Sequence, residues 1–76
     1  NPFVESTTIK FESKGAYTTL ELFDNEGRIV RKLYEGNLPE GSYKQECDLG
    51  DAPAGIYYVR LQTGIYQQVK NLMKVR

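Results

Sequence analysis

The sequence predicts an all-β fold of six or seven short strands closed into a sandwich or barrel. Three observations predict it. Turn signals recur along the whole chain, at "SKGA" (13–16), "DNEG" (24–27), "EGNLPEG" (35–41), "GDAPAG" (50–55) and "TG" (63–64). The segments between them alternate apolar and polar residues with the period of two that a half-buried strand requires. No window sustains the 3.6-residue periodicity of an amphipathic helix, and Gly or Pro interrupts most candidates.

Taken in order, "TTIKFES" directs Ile9 and Phe11 to one face, and "YTTLELFD" directs Thr18, Leu20 and Leu22 to one face with Thr19 and Glu21 on the other. "RIVRKLYE" offers Val30 and Leu33, whose odd spacing predicts a bulge or bend between them. "SYKQECDL", "IYYVRLQT" and "YQQVKNLMKVR" supply the remaining strands. Residues 66–74 also permit a short helix with Tyr66, Val69, Leu72 and Met73 on one face; nothing caps such a helix, which favours a terminal strand. In "DNEG", Asp24 or Asn25 can bond its own backbone and Gly27 can take a positive φ. In "LPEG", Pro39 presets φ and Gly41 ends the turn. Tyr57 stands just inside a strand after "PAG", where a sandwich tyrosine hydrogen-bonds back to the preceding corner.

The 76 residues form one domain, 1–76, near the lower size limit for a core built without disulfides or metal. Formal net charge is zero, which argues against a nucleic-acid partner bound through phosphate neutralisation. Charge is nevertheless polarised. Residues 60–76 carry Arg60, Lys70, Lys74 and Arg76 with no acid, a net +4, whereas residues 1–59 set six basic residues against ten acidic ones, a net −4. Such a terminal strip either meets a partner or guards a sheet edge with solvated lysine. No stretch is long enough for a transmembrane helix, so no membrane insertion is expected, and no signal-peptide pattern is present. The chain opens with Asn1-Pro2 in place of Met, as expected of an excised or processed piece.

Catalytic chemistry has no foothold. There is no histidine, which removes a Ser-His-Asp triad and leaves Cys47 without an activating base; this single cysteine reads as a packed thiol. The carboxylates that lie close in sequence, Asp48 with Asp51 and Asp24 with Glu26, fall in turns, where local backbone bonds are their usual work. The same turns lack the spacing of a calcium loop, and the glycines are too dispersed to cradle a phosphate, so no cofactor is expected. Tyr17, Tyr34, Tyr58 and Tyr66 could form a sugar-binding face or simply be good strand residues.

The order of these signals resembles the type A C-terminal sorting domain of the type IX secretion system, found on exported proteins of the Bacteroidota. "NPF" with "TTIKF", "TLELFDNEGRIV", "LPEGSY", "APAGIYYVRLQTG" and "VKNLMKVR" follow the family's motifs in order over essentially all 76 residues. Ala52 departs from the family's usual Leu before Pro-x-Gly, and Cys47 from a bulky apolar residue. The resemblance implies an Ig-like β-sandwich of about seven short antiparallel strands that serves as an address label on a parent protein.

On that resemblance the partners are the shuttle and translocon proteins of the secretion system and a cell-surface sortase that cuts upstream of Asn1. The label itself is not an enzyme. It passes through the periplasm and reaches the outer-membrane surface or the medium. The recognition residues carried over are Lys70, Leu72, Lys74, Val75 and Arg76, a basic last strand suited to edge pairing. Gly27, Gly41, Gly55 and Tyr57 carry over as fold determinants. Removing residues 74–76 is expected to abolish export with the domain still folded, and a free edge strand is expected to allow weak self-association. Two other readings share the fold: an Ig-like or fibronectin-type accessory module, acting as spacer or weak carbohydrate binder, and an assembly domain like that of flagellar hook-capping proteins.

Overall fold

The computed structural model describes residues 2, 3 and 5–75, with side chains from residue 5 onward. Seven strands follow in chain order: β1 (Pro2–Phe3), β2 (Ser6–Ser13), β3 (Tyr17–Phe23), β4 (Ile29–Asn37), β5 (Gly41–Asp48), β6 (Gly55–Thr63) and β7 (Tyr66–Lys74). They make a five-stranded sheet, β1-β7-β6-β3-β4, and a two-stranded sheet, β2-β5. Consecutive strands cross between sheets at β1–β2, β2–β3, β4–β5 and β5–β6, the connectivity of an Ig-like sandwich. Six strands pair antiparallel. The expectation of seven antiparallel strands is corrected at β1, which pairs parallel with β7 at Pro2–Met73 and Phe3–Lys74. A two-residue strand entering beside the last strand carries no alternation by which its direction could be read.

Alternation sets which side chains meet between the sheets. Leu20 and Leu22 of β3, with 1 % and 0 % of their surface exposed, lie opposite Leu61 and Val59 of β6. Ile9 and Phe11 of β2 and Cys47 of β5 close over them, with Tyr57 and Leu72 completing the layer. Phe11 stacks on Tyr43, its register partner, with ring centroids 5.8 Å apart. The odd spacing in β4 resolves into two bulges: Leu20 pairs with Tyr34 but Glu21 with Lys32, and Leu22 pairs with Arg31 but Phe23 with Ile29, so Leu33 and Val30 are the extra residues. Residues 66–74 are strand, as the missing caps imply.

One end of the sandwich is tied by buried hydroxyls. Thr18 Oγ1 donates to the Ala16 carbonyl at 2.9 Å and lies 3.0 Å from Thr63 Oγ1, which accepts from the Lys14 N–H at 3.0 Å. A hydroxyl has one proton, so Thr18 Oγ1 shares its proton between the Ala16 carbonyl and Thr63 Oγ1, while the Lys14 N–H donates to Thr63 from the other side. Ser13 Oγ, nearby, accepts from Gly15 N–H and donates to Leu38 O at 2.8 Å. These bonds fix the β2–β3 and β6–β7 turns against each other, and so set where β7 begins.

Candidate functional site

The terminal strand β7 is exposed along residues 66–71 and buried only at Leu72 and Lys74. It pairs with β6 along its whole length, and cross-strand partners share a face. Lys70 lies opposite buried Val59, Leu72 opposite buried Tyr57, and Lys74 opposite Gly55. Lys70, Leu72 and Lys74 therefore all point to the inner side of the five-stranded sheet. Their exposure nonetheless diverges. Five strands at about 4.8 Å spacing span roughly 19 Å, and two strands cover only a part of that width. Since β5 lies beside β4, the uncovered margin falls at β7. Lys70 is exposed there, while Leu72 and Lys74 are 9 % and 7 % exposed, near the point where β1 pairs with β7.

The proposed recognition residues thus divide. Lys70 is open to a partner, Val75 is half-buried, and Leu72 and Lys74 belong to the packed interior. Arg76 lies outside the described residues. The burial of Lys74 bears on the truncation of residues 74–76. Lys74 is packed and pairs with both Gly55 of β6 and Phe3 of β1, so removing residues 74–76 is expected to weaken the sandwich as well as to alter the recognition strip. An exposed substitution, Lys70→Glu, is the cleaner probe.

Two corners of one design lead the chain into β5 and into β6, the latter being the strand that pairs with β7. Tyr57 Oη donates to the Pro53 carbonyl at 2.5 Å, and Tyr43 Oη donates to the Pro39 carbonyl at 2.8 Å. In each, Pro, Gly and Tyr are spaced Pro-x-Gly-x-Tyr, and Gly41 and Gly55 sit at φ of 154° and 150°. Side chains with a Cβ rarely adopt that backbone, so glycine is required where the chain turns the corner into β5 and into β6. The Tyr43 corner was not anticipated, although the shared spacing was its available signal. Gly27, at φ 83°, closes the β3–β4 hairpin. In that turn Asp24 Oδ1 accepts from the Glu26 and Arg28 N–H groups at 2.8 and 3.0 Å, and Arg28 bridges Asp24 and Glu26 at 2.9 Å each. The backbone N–H of Arg28 leads these effects in holding the Asp24 carboxyl below its usual range.

The remaining polar groups serve strand pairing. Arg60 donates to Glu21 Oε1 at 2.8 Å, its register partner across β3–β6, and its guanidinium lies 4.8 Å from the Phe23 ring centroid. Glu35 takes a hydrogen bond from Tyr17 Oη and another from Lys32 Nζ at 2.7 Å, and the Lys32 bond is the main cause that lowers its carboxyl. Cys47 is fully buried, and burial pushes its thiol up. Among the described residues no cluster of three or more His, Cys, Asp or Glu side chains is arranged to hold a metal ion. The four candidate sugar-binding tyrosines lie on four strands: Tyr34 packs against the core, Tyr66 lies beneath Lys14, Tyr17 is tied to Glu35, and Tyr58 faces out from β6. They form no common platform.

Comparison with protein families assigns this arrangement. The family model of the secretion system C-terminal sorting domain matches residues 1–75. The chain belongs to this family. The sorting domain is a C-terminal signal for type IX secretion, which directs export to the cell surface or extracellular space and engages the type IX machinery. The family is one of sorting signals, not of catalysts. No curated protein and no solved structure matches the chain.

Proposed function

We propose that the type IX machinery reads this sorting domain as a folded unit, through the uncovered margin of β7. One observation carries the reading: the last strand of a sorting signal is fully paired on one side, while residues 66–72 lack a strand partner on the other among the described residues. Lys70 is the exposed cation of that margin. Leu72, Lys74 and Val75 act from within, holding the strand in place, and Arg76 extends the basic strip in the sequence.

Shuttle and translocon proteins are the partners on this reading. The parent crosses the periplasm with this domain folded, and a surface sortase then cuts upstream of Asn1. The domain is part of the sortase's substrate and contributes no reacting group. A fusion of residues 1–76 behind a signal peptide, linker and fluorescent reporter tests it in matched hosts with and without a working type IX system. Reporter at the surface or in the medium of the competent host alone, with the domain removed, is the expected result. Reporter retained in the periplasm of both hosts refutes the reading.

A further inference from the structure

Strand β1 is short, but its direction is informative. It runs parallel to β7, with Pro2 beside Met73 and Phe3 beside Lys74. A parallel ladder keeps a constant offset, so polypeptide that leads into β1 is aimed along β7, beside the residues that precede Met73. Those residues form an open edge. β7 pairs with β6 over its whole length, and over residues 66–72 it has no second strand partner among the described residues. In an antiparallel pair every second N–H and C=O points away from the partner strand, so this edge carries a row of free main-chain donors and acceptors. No proline interrupts it.

In the exported protein, polypeptide precedes this point. The chain belongs to a family of C-terminal sorting signals, and such a signal is joined at its N-terminal end to the parent that it directs. At the offset of β1, the first residue upstream of Asn1 comes beside Asn71, the second beside Lys70 and the third beside Val69. Neighbours across a ladder share a face. The second upstream residue therefore lies on the inner side with Lys70, and the third on the outer side with Val69, which is 54 % exposed. Space allows a strand here, because the two-stranded sheet leaves Lys70 uncovered and the gap between β2 and β7 measures about 400 Å³.

We infer that the parent's segment directly upstream of Asn1 continues β1 as a parallel edge strand along β7, covering residues 66–72 with main-chain hydrogen bonds. The sorting domain thus closes its own exposed edge with the linker that joins it to its cargo. A partner that adds to the same edge has to displace the linker first, and displacement frees the segment in which a cut upstream of Asn1 falls. The pairing goes beyond the proposed reading of β7 and rests on that reading only for what the displacement accomplishes.

Amide hydrogen exchange tests it on two forms of the chain. One is residues 1–76 preceded by the parent's own upstream residues, about ten of them, the upper length of an ordinary strand. The other is residues 1–76 alone. Alternate amides of residues 66–72 are expected to exchange about tenfold or more slowly when the upstream segment is present, while the β6 amides, paired in both forms, do not change. Prolines at the second and third upstream positions, one of which removes a ladder N–H, should return exchange to that of residues 1–76. They should also speed cutting of the upstream segment by a broad-specificity protease about tenfold. Cysteines check the register: one placed second upstream should form a disulfide with Lys70→Cys, whereas one placed third upstream, on the other face, should not. Preserved amide dispersion in each variant shows that the sandwich is intact.

Equal exchange at residues 66–72 in the two forms overturns the inference. So does disulfide formation from both upstream positions alike, which marks a loose tether. Protection that rises with protein concentration in residues 1–76 alone makes a second copy the occupant and overturns it as well. Failure of the sorting role is read separately: slowed exchange in a chain that is not exported refutes the sorting role, and export without slowed exchange refutes only the added strand.

Discussion

Replacing Tyr57 by Phe removes one oxygen and leaves the ring in place. That oxygen donates to the Pro53 carbonyl at 2.5 Å from a residue only 5 % exposed, so on the donor's side the bond is shielded from water. A hydrogen bond of this kind contributes about 1–1.5 kcal/mol net when its partner is left without a donor. For a domain of this size that loss lowers Tm by about 4–12 °C. It is a large share of a total stability expected near 4–11 kcal/mol, taken as roughly 0.05–0.15 kcal/mol per residue.

The second corner supplies an internal control. Tyr43 Oη makes the same bond to Pro39, at 2.8 Å, but in an exposed setting where water replaces it. Tyr43→Phe is therefore expected to cost less than about 0.5 kcal/mol. Urea and thermal unfolding followed by far-ultraviolet circular dichroism measure both variants on one scale. Equal losses, or a larger loss at Tyr43, would refute the argument that burial of the donor sets the value of the corner.

Leu22→Ala should cost about 2–5 kcal/mol, because Leu22 is fully buried between the sheets and its removal opens a cavity; urea midpoints measure it. Cys47 should resist aromatic disulfide reagents in the native domain and react fully in denaturant, since burial both shields the thiol and raises its pKa. Asp24, whose carboxyl is held low in the fold, should favour the folded state at full strength above its ordinary value of about 3.9 and lose that contribution as pH falls through its lower folded value. Asp24→Asn should flatten that part of the acid limb, as measured by unfolding midpoints between pH 2 and 6 on the order of one step per half unit.

Much of this fold was legible in the sequence because period-two alternation is a local property. Leu20 and Leu22 face inward with Thr18 as read, and the awkward spacing of Val30 and Leu33 became the two bulges of β4. The site was less legible because it depends on which strands lie side by side. Lys70 and Lys74 are equivalent in phase and charge, yet one is exposed and the other packed, owing to the narrowness of the β2–β5 sheet. The parallel pairing of β1 likewise follows from a long-range contact that two residues cannot announce.

The central claim is that the sandwich, and not a linear tail, is what the type IX machinery reads. It is tested most directly by comparing export of one reporter carrying residues 1–76 with the same reporter carrying only residues 65–76, in the same competent host. The tail retains Lys70, Leu72, Lys74, Val75 and Arg76 but has no β6 to pair with. The account predicts export from the full domain and periplasmic retention with the tail alone. Equal export of both would contradict it.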